Sequence, residues 1–479
     1  MLKFPRTFRF ALLFAASVML VSCGGGGDVK NELALRVIHA SPDLPAVNFL
    51  VDGTAITSTP ADYKTGTRFI FATPRSYAFS LQEILPGGNA LIGTPEARSL
   101  VAGREYSFVA IGKAETDSVG TVVIDNPIEE IPDGSARLEV VHAAPDAPAS
   151  VDVYLTVPGA DLLAENPLVL AAPYGQVPPG RLLLPVDFCP AVAPETRNLC
   201  VVRITPAGVK TEILYESTAF QLNNRDDLLL VAVDNTAAGP APVSMLVNNR
   251  FSTSEALDKN SVSAFRVVHL SPDAPALDVR GENSDADTNI DITFASGLTY
   301  LGFTGYVAAP PDLYTITGVK TAEPDVTPAL LSSIGNLVAG KRATLLAAGL
   351  LSSIGSLVLQ DDNVRPVFAV AKLRIVNAAP GSGTVDVYIQ PTDPGTDIAT
   401  VDPEARLGFL GRAGHAAFAP TTYAVTFTES GNKTVVASAV VPATAGTVQT
   451  LILVDAARVD VGSDGKPPSV LVLDDLAGQ

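Results

Sequence analysis

Residues 136–155 read A-R-L-E-V-V-H-A-A-P-D-A-P-A-S-V-D-V-Y-L, and this stretch decides the fold because the chain repeats it three more times. The other copies keep the order of apolar strand, proline turn and second strand, and begin at Leu35 (L-R-V-I-H-A-S-P-D-L-P-A-V-N-F-L), Phe265 (F-R-V-V-H-L-S-P-D-A-P-A-L-D-V-R) and Leu373 (L-R-I-V-N-A-A-P-G-S-G-T-V-D-V-Y). Proline fixes its own φ and Asp tolerates the left-handed region, so both residues are typical of turns. Each copy is therefore predicted to form a strand, a turn and a strand.

The spacing of the copies predicts four domains of one kind. The last residue of the first motif strand is residue 39, 142, 269 or 377, which leaves roughly one ordinary domain per copy. Short apolar segments lie between turns rich in Gly and Pro, which favours an all-β chain of four tandem Ig-like or transthyretin-like β-sandwich domains. The predicted segments are a lipoprotein signal peptide (1–22), an acylated Cys with a Gly-rich tether (23–32) and sandwiches at 33–126, 134–249, 262–363 and 370–479.

The motif resembles the DUF4397 family, a bacterial domain of unknown function that occurs in tandem in exported proteins. The residues that carry the resemblance are the repeated R-V-x-H-A-S-P-D-A-P and the V-D-V that follows it. The fourth copy departs from this pattern, because Asn377 and Gly381 replace the motif His and Asp. The resemblance implies an exported β-sandwich module and no particular chemistry.

The first residues have the pattern of a bacterial lipoprotein signal. Lys3, Arg6 and Arg9 precede an apolar run at 10–21 that ends in L-V-S-C, and the thiol of Cys23 would carry the lipid. Gly24 follows, whereas an Asp there would favour the inner membrane, so we expect an outer-membrane anchor on the periplasmic or the surface side. The alternative is an ordinary signal peptide with a chance Cys.

Composition excludes some functions and leaves others open. The formal charge of −18 disfavours nucleic acid as a partner, and the chain contains no Trp. No zinc, P-loop, G-x-S-x-G or dinucleotide motif is present, so we expect no cofactor and no catalysis. The predicted function is a stalk or binding array for surface display, adhesion or recognition of an envelope polymer or surface protein. The alternative is an envelope hydrolase or a polysaccharide-processing accessory protein. The oligomeric state stays open.

The motif histidines are predicted to be structural. His39, His142 and His269 end the first motif strand, and Asn377 occupies that place in the fourth copy. An amide supplies a donor and an acceptor but cannot shuttle protons at neutral pH. Bonding to the turn backbone therefore explains all four copies, whereas catalysis that pairs His142 with Asp146 or Asp152 would leave the fourth copy unexplained.

An Arg near the start of the first strand and a polar residue in the second strand recur in every copy. The arginines are Arg36, Arg137, Arg266 and Arg374, and the second-strand residues are Asn48, Asp152, Asp278 and Asp386. We expect an Arg–carboxylate bond that ties the two strands together. A sugar- or phosphate-binding Arg is the functional alternative.

Two further patterns are weaker. Cys189 and Cys200 flank a short loop and are predicted to form a disulfide in an oxidising compartment, the alternative being two buried thiols. Asp285, Asp287, Asn289 and Asp291 have the spacing of a calcium loop, but the expected Gly and the bidentate Glu are absent. A solvated acidic turn is the favoured interpretation, so no metal site is predicted.

Replacing Cys23 with Ser should move the protein from the membrane fraction to a soluble or uncleaved form. Acyl chains hold a protein by burying methylenes, each worth about 0.8 kcal/mol, and they are the proposed anchor here. Detergent partitioning of wild type and Cys23→Ser checks this, and equal partitioning of the two would contradict the lipoprotein prediction.

Overall fold

The computed structural model describes residues 32–178, 180–283, 290–323, 329–361, 364–393, 395, 397–456 and 467–477. These residues are all-β, as the sequence predicts, with eight sheets that pair into four sandwiches and two single 3₁₀ turns at Leu351–Ser353 and Ile398–Thr400. No helix in these ranges is long and apolar enough to cross a membrane.

The first sandwich has two four-stranded sheets, in the orders β4-β1-β7-β8 and β3-β2-β5-β6. Its strands are β1 (Leu33–His39), β2 (Val47–Val51), β3 (Thr54–Ala55), β4 (Ile70–Ala72), β5 (Arg75–Glu83), β6 (Ala90–Leu100), β7 (Arg104–Ile111) and β8 (Gly120–Pro127).

The second sandwich has sheets in the orders β12-β9-β15-β16-β17 and β11-β10-β13-β14. Its strands are β9 (Ser135–His142), β10 (Ser150–Thr156), β11 (Val169–Pro173), β12 (Leu182–Pro185), β13 (Val201–Pro206), β14 (Tyr215–Glu216), β15 (Asp227–Asp234), β16 (Val243–Asn248) and β17 (Thr253–Ala256). The predicted boundary at Asn249 implies that a linker follows it. The structure differs, because β17 lies in this segment, pairs with β16 and extends the sheet.

The third sandwich has sheets in the orders β21-β18-β24-β25 and β20-β19-β22-β23. Its strands are β18 (Ser263–Leu270), β19 (Leu277–Asn283), β20 (Asp291–Leu298), β21 (Val307–Ala309), β22 (Asp312–Lys320), β23 (Leu331–Leu337), β24 (Arg342–Ala348) and β25 (Gly355–Gln360).

The fourth sandwich has sheets in the orders β29-β26-β32-β33 and β28-β27-β30-β31. Its strands are β26 (Ala371–Asn377), β27 (Val385–Pro391), β28 (Ala405–Leu407), β29 (Arg412–Phe418), β30 (Thr421–Glu429), β31 (Val435–Ala443), β32 (Val448–Val454) and β33 (Ser469–Asp474).

The two motif strands of each copy lie in opposite sheets of one sandwich. The first motif strand is central, and it pairs in parallel with a later strand: β1 with β7, β9 with β15, β18 with β24 and β26 with β32. Alternate residues of this strand, such as Leu138 and Val140 in β9, enter the core of their own sandwich. The period of two found in the sequence is therefore the period of the core.

The other face of the first motif strand is also buried, because the sandwiches pack in pairs. Ile38 and Val109 of the first sandwich form one apolar cluster with Val141 and Val231 of the second. Val268, Leu346, Val376 and Ile452 form the matching cluster between the third and fourth sandwiches. A fully buried Val or Leu contributes roughly 1.5–3 kcal/mol, so these clusters hold each pair together strongly.

Polar contacts connect the two pairs. Arg365, between the third and fourth sandwiches, donates to the Pro42 carbonyl at 2.7 Å and to the Asp62 carboxylate at 2.7 Å in the first sandwich. Arg342 of β24 donates to the Thr236 carbonyl at 2.9 Å in the second sandwich. The two pairs of sandwiches therefore contact each other through described residues.

Candidate functional site

The motif histidines bond the turn that follows them. The Nε2 atoms of His39, His142 and His269 lie 3.1, 2.8 and 3.0 Å from the carbonyl oxygen six residues later. The Nδ1 atom of each ring accepts the amide two residues later, at 3.3–3.4 Å. These bonds require the neutral tautomer with its proton on Nε2.

Asn377 repeats this bonding with an amide. Its Nδ2 donates to the Gly383 carbonyl at 2.9 Å, six residues later, and its Oδ1 accepts the Ala379 amide at 3.1 Å, two residues later. The hydrogen bonds of all four copies therefore have the geometry that the comparison of repeats predicts.

Burial keeps these rings neutral. It lowers the pKa of His39 to about 4, opposed by the bond to Pro45, and it also lowers the pKa of His142 and of His269. Because the pKa of each ring is depressed in the folded state, the neutral ring contributes fully to folded-state stability at pH values above the unfolded-state pKa near 6.5. For His39 it is lost as the pH falls toward about 4.

The motif arginines do not bind the second-strand acids, so that prediction is wrong. Asp152 accepts the amides of Ala171 and Gly208, at 2.7 and 2.8 Å. Asp278 accepts the Gly297 amide and Asp386 pairs with Arg406, while Asn48 donates to Gln82. The physical reason is that the two motif strands lie in opposite sheets, about 10 Å apart, with these side chains on the outward faces.

Each motif Arg instead joins its own sheet to the partner sandwich. The Nε atoms of Arg36, Arg266 and Arg374 donate to the hydroxyls of Ser107, Thr344 and Thr450, at 2.7–2.9 Å, and Arg137 donates to Asp227 at 3.0 Å. Each acceptor is the register partner of its Arg on the parallel strand. The four guanidinium groups thus sit alike in their sheets.

The Nη1 atom of each Arg crosses the interface to a backbone carbonyl. Arg36 donates to the Asn249 carbonyl, directly after β16 of the second sandwich, at 2.9 Å, and Arg137 donates to the Glu129 carbonyl, two residues after β8 of the first sandwich, at 3.3 Å. Arg266 and Arg374 donate to the carbonyls of Asp474, which ends β33, and Gln360, which ends β25, at 3.1 and 3.4 Å. We name these four residues the arginine clamp.

Buried acids complete the clamp between the third and fourth sandwiches. Arg266 pairs with Asp475 and Arg374 pairs with Asp361 at 2.7 Å, and both carboxylates have no exposed surface. His415 bonds Asp475 at 2.8 Å and Tyr306 bonds Asp361 at 2.8 Å. The sequence predictions missed these partners, although the acidic residues at the ends of β25 and β33, D-D-N after Gln360 and D-D at 474–475, were a signal for them.

The first pair uses different acids at the same interface. Arg181 of the second sandwich bonds Glu105 of the first, and Asn126 of the first donates to Glu139 of the second at 2.8 Å. The charged groups change between pairs while the arginine clamp stays, so the clamp is the shared element.

The remaining sequence predictions have varied outcomes. Cys189 and Cys200 form a disulfide that is buried in the core of the second sandwich. Closing a loop of about a dozen residues is worth about 3 kcal/mol on chain-entropy estimates. Cys23, Asp285, Asp287 and Asn289 lie outside the described residues, and the Asp291 side chain is exposed at the start of β20. Among the described residues, no group of three or more His, Cys, Asp or Glu could hold a metal ion.

Comparison with known families identifies the repeats. The family model described as "Domain of unknown function (DUF4397)" matches residues 34–154 and 263–388, together more than half of the chain. The chain belongs to the DUF4397 family. Each match begins in the first motif strand of one sandwich and ends in the second motif strand of its partner. A DUF4397 match therefore contains both clamp arginines of a pair.

Other comparisons add little. No curated protein matches the sequence. A solved structure titled "The Bacillus anthracis TIE protein" aligns with 9% identity over 90% of this chain and 75% of that chain, with a TM-score of 0.16. A TM-score this low supports no conclusion about either fold or function.

His142→Asn should be tolerated in the whole chain, because the amide can make the two bonds that Asn377 makes. His142→Leu leaves the Pro148 carbonyl and the Ala144 amide without their partner and should cost roughly 1–3 kcal/mol. Chemical denaturation of the three proteins measures this. A catalytic histidine would give the opposite emphasis, with stability unchanged in both variants. Equal losses for Asn and Leu would also contradict the bonding described.

Arg266→Gln should destabilise the third and fourth sandwiches by about 3 kcal/mol, because it leaves Asp475 buried without this partner. Arg197→Gln is the control: it removes an ion pair to Glu195 in which the Arg and Glu side chains are 61% and 37% exposed, and should cost about 0–1 kcal/mol. Denaturant unfolding of the whole chain measures both. If Arg266 served a sugar or phosphate instead, the two variants would be equally stable.

Proposed function

We propose that this DUF4397 protein is a non-catalytic lipoprotein of the bacterial outer membrane that recognises an envelope polymer through its outer loops and sheet edges. The observation that carries the proposal is the use of the motif side chains. All four clamp arginines and all four residues of the His or Asn position are buried and bonded to protein groups. The motif thus builds the scaffold and leaves recognition to surfaces outside it.

The packing favours a binding array over an extended stalk. Apolar clusters bury one sheet of every sandwich against a partner, and Arg365 and Arg342 add contacts between the pairs. A rigid scaffold lowers the entropy lost on binding, since loops held in place need less ordering. The lipid on Cys23 would keep this array at the membrane, on the periplasmic or the surface side.

The proposed function is tested by mixing the chain without its lipid with the polysaccharide fraction isolated from the envelope of its own cells. We expect the protein to co-sediment with the polymer, and the number of reducing ends to stay constant during incubation. Heat-unfolded protein is the control for nonspecific sedimentation. Release of new reducing ends by folded protein would support the hydrolase alternative, and a lack of co-sedimentation would contradict polymer recognition.

A further inference from the structure

A groove of about 820 Å³ lies where the loop after β3 and strand β4 of the first sandwich meet the turn after β16 of the second. This volume is in the range of ligand sites in proteins. The lining includes the exposed rings of Phe71 and Phe251 and the cations Arg68 and Arg250. It also includes five hydroxyl side chains: Thr57, Ser58, Thr59, Thr65 and Thr67.

The other sandwiches show that the fold does not require Arg68. The register of the edge strand against the first motif strand aligns Ile70, Leu182, Val307 and Ala416, which pair with Leu35, Leu138, Phe265 and Leu373. Two residues before these positions, the first copy has Arg68, and the others have Gly180, Gly305 and Gly414. A position that accepts glycine three times needs no long cation for folding.

Phe71 is a departure of the same kind. One residue after the aligned positions, the other copies have Leu183, Ala308 and Ala417. The Phe71 ring is 49% exposed, so it is not part of the core of its sandwich. An aromatic ring at this place is therefore explained neither by the repeat pattern nor by packing.

The second exposed ring, that of Phe251, lies in a turn that side-chain hydrogen bonds stabilise. The Asn249 side chain accepts the amides of Phe251 and Ser252, at 2.8 and 2.9 Å, and Phe251 is 81% exposed. Arg250 in the same turn accepts the Phe69 amide through its carbonyl, which joins the turn to the first sandwich. Two exposed rings thus flank one groove on a fixed framework.

The groove is cationic in a chain of formal charge −18. Arg68 makes no ion pair with any described residue, and the ion pairs of Arg250 with Asp227 and Glu105 are long, at 3.7 and 3.8 Å. The carboxylate in the lining, Asp62, is paired with Arg365 at 2.7 Å. An anionic ligand group would thus meet the Arg68 guanidinium without displacing an ion pair among the described residues.

We propose that this groove binds a segment of an acidic polysaccharide, with sugar rings on Phe71 and Phe251 and a uronate carboxylate on Arg68. Flat apolar ring faces suit the C–H faces of pyranoses, and guanidinium groups bind carboxylates in a two-pronged geometry. The hydroxyl side chains match the hydroxyls of a sugar as both donors and acceptors. This site rests on the proposed function, since it specifies which envelope polymer is recognised.

Calorimetric titration of the whole folded chain with oligogalacturonate, and with a neutral cello-oligosaccharide of equal length, tests the site. Arg68→Gln should weaken oligogalacturonate binding by about tenfold or more, because a charge-assisted bond is lost, and leave the neutral sugar unaffected. Arg98→Gln, an exposed Arg of β6, is the charge control and should change neither affinity. Absence of oligogalacturonate binding by wild type, or equal binding by wild type and Arg68→Gln, would overturn the proposal.

Phe71→Ala tests the stacking part separately, because Ala is the residue of the third and fourth copies. It should weaken the binding of both oligosaccharides by roughly three- to tenfold. Leu183→Ala, at the same register position in the second sandwich, should weaken the binding of neither. Co-sedimentation separates the two proposals. If envelope polymer sediments equally with wild type and Arg68→Gln, the proposed function stands and the groove assignment fails. If wild type does not sediment with it, both fail.

Discussion

The burial of each first motif strand between two apolar layers is the constraint on which the rest of the structure depends. In β9, Leu138 and Val140 face the core of their own sandwich, while Val141 faces the neighbouring sandwich. A strand without a solvent face must satisfy its amides and carbonyls within the sheet. It does so with an antiparallel strand on one side and a parallel strand on the other, and parallel neighbours are typical of sheets covered on both faces.

A buried guanidinium is tolerated in this layer because its Nε and Nη1 atoms have hydrogen-bond acceptors in place. The Nε–H group donates to the register partner on the parallel strand, and an Nη1–H group donates to a carbonyl of the other sandwich. Apolar contacts alone would let two sheets slide past each other, whereas a donor fork aimed at a fixed carbonyl allows one register. The arginine clamp therefore supplies specificity to an association that the hydrophobic clusters drive.

The sequence predicts well what depends on alternation and on repetition. The strands, the sandwich class and the bonding of the His or Asn position follow from comparing the copies. The partner of Arg137 could not be predicted, because a period of two tells which face carries a residue but not what covers that face. Val141, on the same face as Arg137, was the signal for a second buried layer. β17 was missed because T-S-E-A has no apolar alternation.

Repeats within one chain act as controls for one another, and the kind of departure is informative. Asn377 replaces a histidine yet keeps its donor and its acceptor on the same backbone groups, so this departure preserves a structural task. Arg68 stands at a position where each of the three other copies has a glycine, and it introduces a charge that no described carboxylate pairs with. The fold of this copy does not require the cation, because glycine suffices at this place in the three other copies. The role proposed for Arg68 is therefore contact with a molecule outside the chain, which is why the recognition surface is expected on the first sandwich rather than in the shared motif.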